Sequence, residues 1–496
     1  MKEKEKLHPL MLAGTGSDVG KSLLATAFCR IFAQDGYHPA PFKAQNMALN
    51  SYATPEGLEI GRAQTVQAAA AGVPCHTDMN PLLLKPTDDC TSQVILNGKP
   101  AGNQGASDYY RNDEGRIHLK KAVQSAFDRL KARYNPIVME GAGSIAEINL
   151  RQSDLVNLSM AQYADASVIL VADIDRGGVF ASLYGTIMLL SPQERSLIKG
   201  LLINKFRGDL SLFASGRKMI EDLCHIPVVG VVPYLSGLHI EAEDSVALEG
   251  KSHKAVEEKI NIAVVQTSHL SNFTDFDLLE QDSRVHLYYT AQAAQLSQAQ
   301  IILLPGSKNT IADLDELHKS GAAQAVKEAA HTGATVMGIC GGYQMMGLSI
   351  ADPLHIEGEQ EEIEGLGLLP VVTTIEREKI TRQVAFTFLH DPHPCQGYEI
   401  HMGTTCVTTG SPASPLNHLA TGGEEGYILN DRCMGTYLHG ILDNPFVIEW
   451  LLSPWSCGGS KTPVLSHSAL QQQQYNRLAA HVREYVDIPY IYHILQ

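Results

Sequence analysis

The chain has no C-x-x-C pair, no excess of positive charge, no long apolar run and no internal repeat. Each absence removes a class of protein. Nine cysteines stand singly between Cys29 and Cys457. Their odd count and scatter fit the reduced thiols of a cytoplasmic enzyme better than a disulfide framework or a zinc site. The formal net charge is −16, which argues against nucleic acid or an anionic membrane as the main partner. No apolar stretch approaches the roughly 18 residues of a membrane span. The opening "MKEKEKLHPLMLAGTG" runs from lysines into a glycine loop and reads as a first strand, not a signal segment.

What is present points to a globular α/β enzyme. At 496 residues, with 44% hydrophobic and 19% charged residues, the chain calls for at least two domains. Short Val/Ile/Leu runs ending in Gly, Asp or Asn recur in the first half: "LMLAG" (10–14), "IVMEGAG" (137–143), "SVILVADID" (167–175), "GLLINKF" (200–206) and "VVGVVPY" (228–234). Such runs between helical stretches predict a parallel sheet covered on both faces, with ligands at the carboxyl ends of its strands. A charged stretch without periodicity follows, and then a second series: "INIAVVQ" (260–266), "IILLPGSKNT" (301–310), "ATVMGICGG" (334–342) and "GYEIHMG" (397–403) to "GTYLHGILDN" (435–444). The expected division is a first α/β domain over 8–236, a linker over 237–259, a second α/β domain over 260–448 and a helical tail over 449–496. The short glutamine run 471–474 reads as exposed helix or loop.

The loop after the first strand, Gly14-Thr15-Gly16-Ser17-Asp18-Val19-Gly20-Lys21-Ser22, feeds a helix. Backbone N–H groups and the helix dipole at such a junction cradle phosphate. Lys21 then falls on the β/γ-phosphates and Ser22 on Mg²⁺. Thr15 stands where the strict pattern has its first glycine, so the loop is one residue longer than usual. That spacing resembles the dethiobiotin-synthetase branch of P-loop enzymes, which use ATP to activate a carboxyl group. The resemblance implies ATP and Mg²⁺. It places Lys43 ("FKAQN") on substrate and phosphate, Glu140 ("MEGAGS") on the metal and Asn204 ("INKFRGD") on adenine. A carboxylate oxygen suits Mg²⁺. Read alone, Glu140 equally caps a turn and Asn204 equally sits in one.

Cys340 lies in "GICGGYQMMG", between an apolar strand and a helix start. Only glycine lets backbone come close around such a bend, and a helix N-terminus favours thiolate. The N–H of Gly341 is the expected oxyanion donor, with a second from Gly306 or Ser307 of "LPGSKN". A cysteine nucleophile needs a base; His439 in "GTYLHG" is the candidate and His401 its rival. The pair resembles class I glutamine amidotransferases, which release ammonia from glutamine and whose fold is flavodoxin-like. Members usually carry His-x-Glu, but Ile441 occupies the glutamate's place here. Glu399 or a backbone carbonyl remain as partners for His439.

Longer strings share one family resemblance: "PFKAQNMALNS" (41–51), "GRAQ" (61–64), "MNPLLLKP" (79–86), "EGAGSIAEINLR" (140–151), "DIDRGGVF" (173–180), "LPGSKNT" and "GTYLHG". Together they resemble the corrinoid-amidating, glutamine-hydrolysing ligases of the cobyric acid synthase family. That resemblance implies amidation of the b, d, e and g carboxylates of adenosylcobyrinic acid a,c-diamide, with ATP, glutamine and the corrinoid as the small-molecule partners. Asn46, Asn50, Arg62, Asp154 and Asp173 are candidate substrate or metal contacts, with Lys85, Arg151 and Arg176 beside them. Each also reads as an ordinary ion pair or helix cap. Two other readings stay open. One is the sister cobyrinic acid a,c-diamide synthase. The other is a P-loop regulatory ATPase with an idle glutaminase-like domain.

Overall fold

The computed structural model of the protein describes residues 4–86, 91–105, 113–241, 248, 250–456 and 467–496. Cys90, Cys457, most of the charged stretch at 242–249 and residues 457–466 of the tail lie outside these residues.

The strand Leu10–Gly14 is buried throughout. With no polar face to present to water, it takes the centre of a parallel sheet. Ile137–Glu140 and Ser167–Asp173 flank it; Ala40–Phe42 lies beyond the first, and Ile198–Phe206 and Val228–Pro233 beyond the second. All five pairings are parallel. Register therefore brings Gly14, Glu140, Asp173 and Asn204 to one edge, with Leu12 opposite Glu140 and Asp173 opposite Asn204.

The helix Lys21–Gln34 packs Leu24, Phe28, Ile31 and Phe32 into the core beneath that edge, the spacing of one helical face. It opens at Gly20, whose φ is +97°, and no side chain caps it. An uncapped helix start at the end of a glycine loop is the arrangement that receives phosphate.

The second half repeats the plan. Val285–Thr290, Ile260–Val265, Ile301–Leu304, Thr335–Ile339 and Cys433–Thr436 run parallel, and Tyr427–Asn430 closes the sheet antiparallel. Thr335–Ile339 and Cys433–Thr436 are neighbours, with Ile339 opposite Thr436. Residues just past their ends, 340 and 439, therefore meet although they are far apart in the chain. A long antiparallel hairpin, Val371–Phe388 with Pro394–Val407, extends from this half toward the first.

Hairpin and first half meet around a buried carboxylate. Glu59 accepts from Lys85 Nζ (2.9 Å) on Oε1 and from Lys379 Nζ (2.5 Å) on Oε2. Burial opposes its ionisation, but the two ammonium groups hold it far below the usual carboxylate range. Burial draws Lys379 down to about 8. Removing the carboxylate would leave two buried cations unneutralised. Glu59→Ala is expected to cost about 3–5 kcal/mol, read as an earlier urea midpoint.

The tail starts on the second core, where Leu451 and Leu452 are buried, and from Tyr475 onward packs back on the first. The helix His467–Tyr485 buries Tyr475, Leu478, Ala479 and Val482 there. Two of its glutamines are engaged: Gln471 Nε2 donates to Glu241 (2.7 Å) and Gln474 Oε1 accepts from His239 N (3.3 Å). Among the described residues, no helix is long and apolar enough to cross a membrane.

Candidate active sites

The first site lies where the loop 14–22 meets Glu140. Glu140 is 2% exposed. Its Oε1 accepts from Ser22 Oγ (2.8 Å) and Lys43 Nζ (2.9 Å), and its Oε2 from Gln67 Nε2 (2.6 Å). Three residues that sequence separates widely, Ser22, Lys43 and Glu140, are therefore one cluster. Gln67, which sequence reasoning missed, joins them from the helix Arg62–Ala71. Lys21 Nζ donates to the carbonyls of Gly16 (2.9 Å) and Gly143 (3.1 Å), which folds it over the loop. The oxygens of Ser22 and Glu140 are hard donors of the kind Mg²⁺ takes together with phosphate and water. No group of three or more His, Cys, Asp or Glu with metal geometry exists among the described residues. The donor set thus fits an ion carried in with a nucleotide better than a resident cage.

Other candidates are occupied elsewhere. Asn204 Nδ2 donates to the Val19 carbonyl (2.9 Å), bracing the phosphate loop from below. Asp154 accepts from the amides of Val156, Asn157 and Ser159, a helix-start cap. Asp173 pairs with Lys205 (3.0 Å) at the sheet edge, and Arg176 is exposed near Asp18 (3.6 Å). Arg151 pairs with Glu194 (3.2 Å). Arg62 is buried in an ion pair with Glu241. Asn46 Nδ2 donates to Gln64 Oε1 (3.2 Å), and the Asn50 carbonyl accepts from Arg62 N (3.2 Å).

The second site is built on a strained turn. Cys340 has φ +54° and ψ −111°, and the helix Gly341–Met346 follows at once. The turn needs its glycines. A Cβ on Gly342 would lie 2.0 Å from the Leu304 carbonyl oxygen, and one on Gly338 would lie 2.6 Å from that of Gly342. The amide of Gly341, in the first turn of a helix, has no intrahelical acceptor. Gly306 and Ser307 approach from the neighbouring loop: a Cβ on Gly341 would stand 2.8 Å from Ser307 N, and one on Gly306 3.1 Å from His439 Cε1.

His439 is 1% exposed. Its Nδ1 meets Asp275 Oδ2 at 2.7 Å, while Asp275 Oδ1 accepts from Gly440 N at 2.9 Å. Burial acts to lower the histidine's pKa. The Asp275 carboxylate and the Cys340 sulfur more than offset this and push it up to about 10. Asp275 is therefore the orienting residue. Neither sequence candidate fills that place: Glu399 pairs with Arg382, and no backbone carbonyl takes the Nδ1 proton. The rival base His401 faces the same cavity. However, its Nδ1 is bound to the Gly403 carbonyl (3.1 Å), and its ring is stacked on Tyr437 at 3.7 Å. Burial pushes it down to about 4, so it is neutral.

Cys340 and His439 open on a cavity of about 1010 Å³. Its walls come from both halves: Ser307, Lys308, Gln344 and Glu357 beside the cysteine, Lys379 on the hairpin, and Lys85 and Gln93 from the first half. Burial lowers Lys308 and raises Glu357 to about 7.

Residues 10–246 match the family described as "CobQ/CobB/MinD/ParA nucleotide binding domain", and residues 261–446 match "CobB/CobQ-like glutamine amidotransferase domain". Among curated proteins, the chain is 66% identical over 491 residues to a cobyric acid synthase of Bacteroides fragilis, covering 99% of both chains. It is 64% identical to one of Phocaeicola vulgatus, again over 99% of both. It is 55% identical to one of Parabacteroides distasonis, over 99% of this chain and 100% of that one.

Proposed function

The chain belongs to the cobyric acid synthase family, and we propose that it amidates the b, d, e and g carboxylates of adenosylcobyrinic acid a,c-diamide. It is an ATP- and glutamine-dependent ligase of cobalamin biosynthesis. The observation that carries the reading is the presence on one chain of a phosphate cradle closed by Glu140 and a cysteine turn completed by His439 and Asp275. A regulatory ATPase has no use for the second constellation. Cytoplasmic location fits the seven described cysteines, all of them free.

Each amidation divides between the halves. In the first, a substrate carboxylate oxygen attacks the γ-phosphorus of ATP, the bond to the β-phosphate bridge oxygen breaks, and ADP leaves an acyl phosphate. Lys21, Lys43 and the helix N-terminus after Gly20 balance the charge that builds on the phosphates. Ser22 and Glu140 would hold Mg²⁺, which adds electrostatic stabilisation of those oxygens when bound. In the second half, the Cys340 sulfur attacks the side-chain carbonyl carbon of glutamine. A C–S bond forms, and the Gly341 amide meets the oxyanion. The C–N bond then breaks, with His439 giving its proton to the departing ammonia. Water cleaves the thioester to glutamate. Ammonia attacks the acyl phosphate carbon, phosphate leaves, and an amide remains. A wall shared by the two halves keeps ammonia from dilution into bulk water.

The direct test is mass spectrometry of the corrinoid after incubation with Mg-ATP and glutamine. Four successive conversions of –OH to –NH₂ are expected. An unchanged corrinoid with either glutamine or ammonium, while ATP is still hydrolysed, would leave the regulatory ATPase standing. Glu140→Gln is expected to cut amidation from both nitrogen sources by about 10²–10³-fold. Cys340-dependent glutamate release should persist in that variant, measured as glutamate.

A further inference from the structure

The ribbon Ser51–Ala53, paired antiparallel with Glu59–Gly61, belongs to the first half but ends against the second. Two contacts lead from it to the glutamine-cleaving residues. The Tyr52 ring lies 4.4 Å from that of Tyr398, and Tyr398 stacks on His439 at 5.2 Å with 23° between planes. Tyr398 and His439 also exchange backbone hydrogen bonds of 3.0 and 2.9 Å, so ring and main chain are fixed together. One residue earlier, Ser51 N donates to Asn272 Oδ1 at 3.0 Å. Asn272, at φ +52°, opens the single helical turn Phe273–Phe276 that carries Asp275.

Both members of the His439–Asp275 pair are thus braced from the other half, one through an aromatic stack and one through a hydrogen bond. The same ribbon leads back to the acid-activating site. Gly61, opposite Ser51 in the ribbon, donates its N–H to Asn80 Oδ1 (3.2 Å). Asn80 Nδ2 donates to the carbonyl of Lys43 (3.1 Å), and Lys43 Nζ reaches Glu140. The buried Arg62 guanidinium sits 4.8 Å from the Tyr52 ring centre and 5.9 Å from that of Tyr398.

We propose that Tyr52, through Tyr398, and the Ser51 amide, through Asn272, are positioning residues of the glutamine-cleaving site supplied by the synthetase half. The inference rests on the glutaminase reading given above. Neither group touches the glutamine carbonyl; each sets the orientation of a group that serves it. A small error in the placement of the imidazole is enough to slow proton transfer strongly.

The test uses the full chain with Mg-ATP, corrinoid acid and either glutamine or ammonium, reading glutamate and amide separately. Tyr52→Ala is expected to lower kcat for glutamate release about tenfold to a hundredfold. KM for glutamine should stay within about twofold and ammonium-driven amidation near the parent rate. Tyr52→Phe keeps the ring and should restore kcat. Asn272→Gly tolerates the positive φ but deletes the acceptor for Ser51, and it should show the same split. Unchanged glutamate release in Tyr52→Ala, beside an active parent, would overturn this proposal alone. Loss of glutamine- and ammonium-driven rates together would also overturn it, because Tyr52 would then serve only the fold. A parent that releases no glutamate would overturn both this proposal and the glutaminase reading.

Discussion

Asp275→Asn is expected to lower kcat for glutamine hydrolysis by about 10²–10⁴-fold while leaving ammonium-driven amidation intact. The substituted amide keeps the shape but turns a donor toward Nδ1 of His439, or else withdraws the acceptor from Gly440 N. In the first case the imidazole is held with its proton on Nε2, the nitrogen that must serve the sulfur. A stability measurement separates this from a folding defect. With Asp275 and Cys340 outweighing burial, His439 titrates near 10 in the folded protein, against an ordinary histidine value near 6.5. A raised pKa means stability that is fully present below about pH 6.5 and is lost as pH rises through about 10. The parent should therefore exceed Asp275→Asn in urea midpoint most strongly at pH 6, with the gap narrowing toward pH 10. A gap that widened with pH would show that Asp275 is not what holds the histidine cationic.

Cys340→Ala should have the larger effect on chemistry. Glutamine-driven amidation is expected to fall by about 10⁴-fold or more, because the acyl intermediate forms on the Cys340 sulfur. His401 cannot substitute: its Nδ1 is committed to Gly403 and its ring is packed on Tyr437. Ammonium should restore the amide product, because the phosphate cradle lies in the other half and shares no side chain with the turn. The decisive comparison is the ratio of ammonium- to glutamine-driven rates in parent and variant. An unchanged ratio would remove Cys340 from the reaction.

The phosphate loop and the cysteine turn were legible because each depends on backbone shape, and backbone shape is written in glycines. Gly20 at the helix start and Gly338 and Gly342 about Cys340 admit no other side chain. The parallel character of both sheets was also legible, since uninterrupted apolar runs between helices suit strands buried on both faces. Asp275 was not. It lies 164 residues before His439, and in "SNFTDFD" nothing local separates it from Asp277. The position where the family pattern led one to look holds Ile441, which is fully buried in the core and so has been given over to packing. Arg62 misled for a related reason. Its charge suggested a substrate anion, but its partner, Glu241, lies in the stretch between the halves, where composition indicated only a linker. Long-range partners of this kind follow from register and loop geometry, which residue type does not encode.

The tail has a consequence for how the molecule is made. His8 N donates to the Leu495 carbonyl (2.7 Å), and the helix His467–Tyr485 lies in the core that begins at Leu7. The nucleotide-binding half is synthesised first, but one wall of its core is a helix that follows the second half in the chain. Domains in most chains fold in the order of synthesis. Here the core of the earlier half is expected to close only after the later half has been made.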